Sequence, residues 1–130
     1  MAFTIGQDDV MLWTKTRLKT FKYWPFDDKV PCSSKRMAAA GFYASGGKEE
    51  PDLAICFVCK KSLNGWEKTD DPWEEHKKHC PACPFVLMNK QEKDLTIENI
   101  IDLIMHVEVH RMKSIKEKTV GEFKKLAKAL

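Results

Sequence analysis

The chain has 130 residues, of which 43% are apolar and 32% are charged, and its formal net charge is +3. This balance predicts one modest folded domain plus one long element, and it argues against a disordered chain. No apolar run approaches the roughly 20 residues that span a bilayer, so we expect no membrane segment. The first 13 residues lack a basic stretch followed by a long apolar one, so we expect no secretory signal.

The five cysteines are an odd number, which argues against a disulfide framework and favours a metal site in a reducing compartment. Charge is unevenly distributed along the chain. Residues 111–130 contain seven Lys or Arg and two Glu, whereas acidic side chains crowd between Glu67 and Glu75. We expect the basic segment to be a solvated helix face and not a nucleic-acid contact.

The segment before residue 90 predicts short elements only. "TKTRLKTF" (14–21) predicts a helix that Pro25 ends, and Ser33 or Ser34 can cap a second helix that stops at Gly41. "PDLAICFVC" (51–59) alternates as a strand does, and the Asn-Gly pair at 64–65 is typical of a hairpin turn. Asp71 and the following proline predict the start of a helix that Pro81 stops.

Residues 95–130 predict one long helix that Thr96 caps with support from Glu98 or Asn99. A single apolar stripe follows the helical period, at Ile97, Ile101, Ile104, Met112, Ile115, Phe123, Leu126 and Leu130. Such a helix is about 50 Å long at 1.5 Å per residue. The preceding domain is too small to cover that length, so we expect part of the stripe to protrude and to contact other helices.

The segment "CFVCKKSLNGWEKTDDPWEEHKKHCPAC" (56–83) has the composition of a structural zinc site, and two ligand sets compete. One set is Cys56, Cys59, Cys80 and Cys83, which the usual spacing of two C-x-x-C pairs favours. The other set replaces Cys80 with His76, whose direction a capped helix would fix. The residues alone leave both sets open, and we expect His79 and Cys80 to face solvent. In either set the protein fills all four positions, which leaves none for catalysis.

Four segments together resemble a baculoviral inhibitor-of-apoptosis repeat, or BIR, over about residues 15–87. They are "RLKTFKYWP" (17–25), "MAAAGFY" (37–43), "DLAICFVC" (52–59) and "LNGWEKTDDPWEEHKKHCPAC" (63–83). The resemblance implies an α+β fold with a short three-stranded antiparallel sheet, short helices and one structural Zn²⁺ held by Cys56, Cys59, His76 and Cys83. It divides the chain into an N-terminal arm (1–14), a BIR zinc domain (15–88), a linker (89–94) and a long C-terminal helix (95–130).

The resemblance also implies a groove that binds the free amino terminus of a peptide beginning with a small residue. The matching positions are Leu63, Asn64, Trp66, Asp70, Asp71 and Glu75. In single-repeat members the peptide is a phosphorylated histone tail, with Lys61 and His79 at the phosphate and Glu50 at a neighbouring basic side chain. Those members commonly carry an acid where this chain has Asn64. Arg17 and Trp73 are expected in the core.

A single BIR followed by one long helix implies a non-enzymatic adaptor whose helix bundles with helical subunits of the chromosomal passenger complex. Such an adaptor acts in chromosome segregation and cytokinesis, and it is found in the nucleus and cytoplasm, at the centromere and at the spindle midzone. A homodimer through Ile97, Ile100 and the N-terminal arm is a further expectation, although Glu92 stands where an aromatic is expected. The rival hypothesis is an inhibitor of apoptosis that binds caspases or pro-apoptotic amino-terminal peptides.

We predict no enzymatic activity, because no nucleophile–base pair, phosphate-binding loop or open metal position is visible in the sequence. His106 and His110 are four residues apart in the predicted long helix. Because no third ligand accompanies them, we expect a surface or interface pair and not a metal site.

Overall fold

Short helices and strands precede one long helix in the computed structural model, which describes residues 11–129. The helices are α1 (Thr14–Lys19), α2 (Ser34–Ala39), α3 (Pro72–His79), α4 (Pro84–Met88) and α5 (Ile97–Ala129), and the strands are β1 (Phe42–Ala44), β2 (Ala54–Cys56) and β3 (Ser62–Leu63). A short 3-10 helix (Glu92–Asp94) precedes α5. The predicted long helix therefore begins at Ile97, two residues after the boundary expected from the sequence.

The three strands form one antiparallel sheet in the order β1-β2-β3. Phe42 pairs with Cys56 across the first strand pair, and Ala54 pairs with Leu63 across the second. β3 is therefore an edge strand, whose outer backbone groups face away from the sheet. The sheet, the short helices and the long helix confirm the predicted α+β fold.

Two of the predicted helix starts are capped as the sequence indicates. The Ser33 hydroxyl accepts a hydrogen bond from the Arg36 amide at 3.3 Å, which caps α2. Asp71 caps α3 through its side chain, and Pro72 occupies the first helical position. Gly41 follows α2 at a φ of +97°, and a Cβ there would lie 2.9 Å from the Phe85 ring. A glycine is needed at this position both for its backbone conformation and for its lack of a side chain.

The predicted end of α1 is wrong. The helix stops at Lys19, well before Pro25, because Thr20 engages other groups. Its hydroxyl donates to the Arg17 carbonyl at 2.6 Å and accepts a hydrogen bond from the Ala44 amide at 2.8 Å. The helix therefore ends where Thr20 forms a side-chain hydrogen bond with β1, several residues before Pro25.

The predicted Asn64-Gly65 hairpin turn is also wrong. These residues come after β3, and the turn that joins β2 to β3 is instead formed by residues 57–61. Gly65 has a φ of +73°, and its amide donates to the Asp52 carboxylate at 2.8 Å. The pair therefore forms a loop held against the segment that precedes β2.

Arg17 is the most unusual member of the core, because it is charged and only 1% exposed. Its guanidinium donates to the carbonyls of Met11, Leu12 and Ala38 at 2.8–2.9 Å, and it lies 4.4 Å from the centre of the Phe57 ring. Burial lowers its pKa from 12.5 to about 10, so the group stays charged at neutral pH. The prediction of a buried structural arginine is confirmed.

The linker is tied to the same region. The Glu92 carboxylate accepts a hydrogen bond from the Thr14 amide at 2.7 Å, in the first turn of α1. An acidic group at a helix N-terminus is favourable, and the negative charge of Glu92 also raises the pKa of Arg17. The residue that replaces the expected aromatic therefore fastens the linker to the N-terminal side of the domain.

Only the first third of α5 packs on the domain. Thr96 and Asn99 cap its start reciprocally, with side-chain to backbone hydrogen bonds of 3.1 and 3.0 Å. Leu103 and Val107 are buried, whereas every described residue from Val109 onward is exposed. About 30 Å of helix therefore extends beyond the domain at 1.5 Å per residue. None of the helices described for residues 11–129 has both the length and the apolar character needed to cross a membrane.

We predict that Arg17→Met lowers the free energy of unfolding by at least about 2 kcal/mol, because buried carbonyls lose their donors at about 1–3 kcal/mol each. Urea unfolding of the zinc-loaded chain measures this. Arg36→Met is the matched control, since Arg36 is half exposed and makes a 3.2 Å ion pair with Asp71. Such a pair contributes less than about 1 kcal/mol. Equal effects of the two substitutions would contradict the account of Arg17.

Candidate metal centre and peptide groove

Four ligand-type side chains converge between the sheet and α3. Cys56 ends β2, Cys59 lies in the turn that follows, His76 lies in α3, and Cys83 immediately precedes α4. One ligand atom from each lies within 4.8 Å of the ligand atoms of the other three. The segment from residue 56 to residue 83 is thereby gathered around one point.

The separations fit a tetrahedral zinc site. The Cys56 and Cys83 sulfurs are 3.8 Å apart, and Cys59 Sγ lies 3.9 Å from His76 Nε2. Two sulfurs that each lie about 2.3 Å from a tetrahedral zinc are about 3.8 Å apart, and a sulfur and a nitrogen are about 3.6 Å apart. The donor set and its spacing are thus those of one structural Zn²⁺, as predicted.

His76 is held in the orientation that a zinc ligand requires. It is fully buried, and its Nδ1 lies 2.8 Å from the Ala40 carbonyl oxygen. When Nδ1–H donates to that carbonyl, Nε2 carries the lone pair and faces the cysteines. Asp71 and Pro72 fix the start of α3 and hence the position of His76 along it.

The thiols of the cluster strongly influence one another. Burial raises the pKa of Cys56 well above its ordinary value, and hydrogen bonding to Cys59 adds to the effect. Hydrogen bonds from Cys56 and Cys83 lower the pKa of Cys59 to about 2. A divalent cation supplies the positive charge that several neighbouring thiolates need.

Cys80 does not face solvent, so that prediction is wrong. It is only 9% exposed and belongs to the buried core of the domain. Burial, together with the negative charge of Cys59, raises the pKa of its thiol to about 12. His79 behaves as expected, because 43% of its side chain is exposed.

A cavity of about 330 Å³ opens beside the metal cluster. One wall consists of β3 and the loop that follows it, and the other consists of the Asp70 turn and one face of α3. The lining residues are Ser62, Leu63, Asn64, Gly65, Trp66, Asp70, Glu75 and His79. Six of the nine residues predicted to bind peptide are therefore brought together, and Ser62 and Gly65 join them.

The other three predicted residues lie outside this lining. Both carboxylate oxygens of Asp71 are engaged, one capping α3 at Trp73 and Glu74 and the other in the ion pair with Arg36. Lys61 is exposed in the turn before β3, and Glu50 is exposed ahead of β2. Asp71, which the sequence predicted as a peptide-binding residue, thus caps α3 and pairs with Arg36 in the structure.

The cavity lining combines the carboxylates of Asp70 and Glu75 with the aromatic ring of Trp66. Glu75 contacts His79 at 3.3 Å, and Asp70 accepts a hydrogen bond from the Glu67 amide at 2.8 Å. Trp66 is 8% exposed, and its ring makes an edge contact with Phe42 at 5.3 Å between centres. Trp66 therefore both lines the cavity and packs in the core. Trp73 stacks on Phe85 at 5.2 Å, which confirms that it belongs to the core.

Most of the predicted apolar stripe of α5 is exposed. Ile97, Ile101, Met112, Ile115, Phe123 and Leu126 are between 52% and 77% exposed, Ile104 is half-buried, and Leu130 lies outside the described residues. Leu103 and Val107, which are four residues apart and buried, were not among the residues predicted from the sequence. Their i, i+4 spacing places them on one face of the helix, beside the predicted apolar stripe. His106 and His110 are exposed on α5, away from the metal cluster.

Comparison with protein families agrees with this architecture. Residues 17–87 match the family model for BIR, the Inhibitor of Apoptosis domain. Because the matched segment makes up more than half of the 130 residues, the chain belongs to the BIR family.

Within that family the chain is similar to single-repeat, survivin-type proteins. It is 48% identical over 87 residues to mouse Baculoviral IAP repeat-containing protein 5, which covers 67% of this chain and 62% of the mouse protein. It is 41% identical over 101 residues to Baculoviral IAP repeat-containing protein 5.2-B of Xenopus laevis, which covers 77% of this chain and 64% of the frog protein. The match thus spans less than two thirds of the length of either relative.

We predict that Cys83→Ser releases about one zinc per chain and unfolds the domain, because it removes a buried ligand from a small core. Cys80→Ser should keep its zinc and its fold. Metal analysis of the purified variants and their circular dichroism spectra measure both effects. Equal metal loss in the two variants would overturn the assignment of His76 as the fourth ligand.

Proposed function

We propose that this chain is a non-enzymatic adaptor that binds the free amino terminus of a phosphorylated histone tail in its groove. The observation that carries the proposal is the cavity that brings Asp70, Glu75, Trp66 and His79 together next to the zinc cluster. Carboxylates attract an ammonium group, and an aromatic surface accepts a small apolar side chain. This combination suits a peptide that starts with a small residue and has an unblocked amine.

The edge position of β3 supports the same proposal. Only one side of β3 pairs with β2, so an extended peptide can add along the outer side and form backbone hydrogen bonds. Leu63 lies in β3 and also lines the cavity. A peptide that runs along this strand would place its first residue toward Trp66 and Asp70.

A phosphate on the bound peptide would meet basic groups at one end of the groove. His79 lines the cavity, and exposed Lys61 immediately precedes β3. Lys61 suits a phosphate as a point charge, and His79 can donate a hydrogen bond from its ring. Because Glu75 contacts His79 at 3.3 Å, a phosphate there would compete with that contact. We assign Glu50 to a neighbouring basic side chain of the peptide.

We predict that Asp70→Asn weakens binding of an amino-terminal histone peptide by about tenfold or more, because a hydrogen bond to a charged group contributes about 1.5–3 kcal/mol. Calorimetric titration should compare phosphorylated, unphosphorylated and amino-acetylated peptides, and acetylation should abolish binding. Glu74→Gln is the control, since Glu74 lies on the same helix, faces Lys77 and does not line the cavity. Failure of the unblocked peptides to bind the unmodified chain would refute the groove proposal.

The second part of the proposal is that α5 joins helical subunits of the chromosomal passenger complex. A 21-residue stretch from Val109 to Ala129 is exposed along its whole length, and it includes Met112, Ile115, Phe123 and Leu126. An amphipathic helix that exposes this many large apolar side chains gains free energy by burying them against other helices. As a member of that complex, the chain is proposed to be at the centromere and spindle midzone in mitosis, and in the nucleus and cytoplasm otherwise.

We predict that Phe123→Glu abolishes co-purification with those helical subunits, since it places a charge in the apolar seam. Lys125→Glu is the matched control, because it lies off the stripe in the same exposed turn region and should retain the partners. Zinc content and the fold of the BIR domain should be unchanged in both variants. Retention of partners by Phe123→Glu would contradict the bundle proposal.

Self-association is a further part of the proposal. Ile97 is exposed and Ile100 is half-buried, and both lie at the start of α5. The N-terminal arm contributes Leu12 and Trp13 within the described residues. The Glu92 carboxylate accepts a hydrogen bond from the Thr14 amide and adds no apolar area to a dimer interface. Sedimentation of the free chain distinguishes a dimer from a monomer.

A second candidate function follows from the family itself. The matched model is described as an Inhibitor of Apoptosis domain, so binding of pro-apoptotic amino-terminal peptides or caspases is the rival. Asn64 lines the cavity at a position where an acid is expected. Because Asn64 is uncharged, it attracts a strongly basic histone tail less than an acid would, which favours this rival. In the peptide titration, a preference for a small-residue-first apoptotic peptide over the histone peptides would support it.

A further inference from the structure

The amino-terminal segment of this chain has the chemistry that suits the cavity beside the metal cluster. Residues 2–5 read "AFTI", so a chain from which Met1 has been removed presents a free amine on a small residue, Ala2. Phe3, Thr4 and Ile5 are aromatic or β-branched residue types that favour an extended strand. These are properties of the sequence, because residues 1–10 lie outside the described part of the chain.

The groove offers a complement to each of these properties. Asp70 and Glu75 supply carboxylates that attract an ammonium group, and Trp66 supplies an apolar ring that accepts a methyl group. β3 pairs only with β2, and its Leu63 also lines the cavity. A segment that adds along β3 can therefore form backbone hydrogen bonds there while its amine meets the carboxylates.

The charge of the groove also suits this segment. Asn64 lines the cavity where an acid is expected, which weakens attraction for a basic tail. Residues 1–14 contain no Lys or Arg, and Asp8 and Asp9 follow closely after the "AFTI" segment. An uncharged side chain at position 64 therefore costs this segment no attraction, and it spares Asp8 and Asp9 a repulsion between like charges.

We propose that a chain with a free amine at Ala2 inserts residues 2–5 into the groove of a second copy of this chain, an inference that rests on the function proposed above for the groove. Each copy carries both the segment and the groove, so the contact can be reciprocal and can close a symmetric dimer. The inserted segment competes with any other amino terminus for the same carboxylates. Self-association and peptide binding are therefore alternatives at one site.

The position of the arm favours a second copy over the same chain. The Met11 carbonyl is held by Arg17 of α1 at 2.9 Å, and the Thr20 hydroxyl at the end of α1 accepts from the Ala44 amide of β1 at 2.8 Å. β1 and β3 are opposite edges of the sheet, about 10 Å apart. With residues 2–5 along β3, residues 6–10 span about 17 Å at most, which leaves little length for passing around the sheet.

The first test is calorimetric titration of the full chain, acetylated at its own amino terminus, with the synthetic peptide AFTIGQDD. The peptide with a free amine should bind, and its acetylated form should bind at least about tenfold more weakly, because a hydrogen bond to a charged group is lost. Asp70→Asn in the receiving chain should weaken binding similarly, whereas Glu74→Gln should not. Because acetylation of the peptide leaves the receiving chain unchanged, misfolding cannot explain its effect.

A histone peptide titrated in parallel separates this inference from the function on which it rests. Binding of the histone peptide without binding of AFTIGQDD would overturn self-insertion alone. Failure of both peptides to bind would overturn both proposals.

The second test is sedimentation of the full chain with the Ala2 amine either free or acetylated. The free-amine chain should form a dimer that an excess of AFTIGQDD dissociates, and acetylation should weaken this association at least about tenfold. A dimer through the start of α5 does not depend on the amine, so equal association of the two preparations would overturn the proposal. A free-amine chain that stays monomeric would also overturn insertion into a second copy.

Discussion

Convergence of Cys56, Cys59, His76 and Cys83 on one point is the constraint on which the rest of the structure depends. These residues come from the end of β2, the turn after it, the middle of α3 and the start of α4. The strands have two or three residues each, which is too short to be stable without further support. Coordination of a metal supplies that support, because binding free energy at such a site is also folding free energy.

The metal cluster also shapes the groove. β3 continues directly from the turn that holds Cys59, and the opposite wall of the cavity is the helix that carries His76. Ligand binding on the two walls therefore fixes the distance between them. A second fastening lies on the other side of the domain, where Arg17 and Glu92 tie the N-terminal segment and the linker to the core. Together these contacts determine where α5 leaves the domain.

The sequence predicted those features that depend on local chemistry or on the family resemblance. Capping by Ser33, Asp71 and Thr96 follows from side chains adjacent to each helix start. The ligand set could not be derived from spacing alone, since Cys80 and His76 both fitted, and it was the resemblance that favoured His76. The structure adds the reason, because the Ala40 carbonyl orients the His76 ring.

Features that depend on long-range packing could not be predicted from the sequence. The end of α1 is set by a hydrogen bond from the Ala44 amide to Thr20, 24 residues away in sequence. Cys80 is buried in the core, although no local pattern in the sequence indicates this. Leu103 and Val107 are buried while the predicted stripe is exposed, because the domain packs against their side of the helix. Asp71 matches the predicted groove by position, yet its oxygens are used for capping and for Arg36.

Amide-resolved NMR during removal of the metal by a chelator tests the central claim most directly. If the metal holds both walls of the groove, chelation should collapse the dispersion of the β3 amides, the Trp66 indole and the α3 amides together. The exposed end of α5 should change little over the same titration, since every described residue from Val109 onward is exposed. Preserved dispersion of both walls after complete loss of zinc would contradict the account.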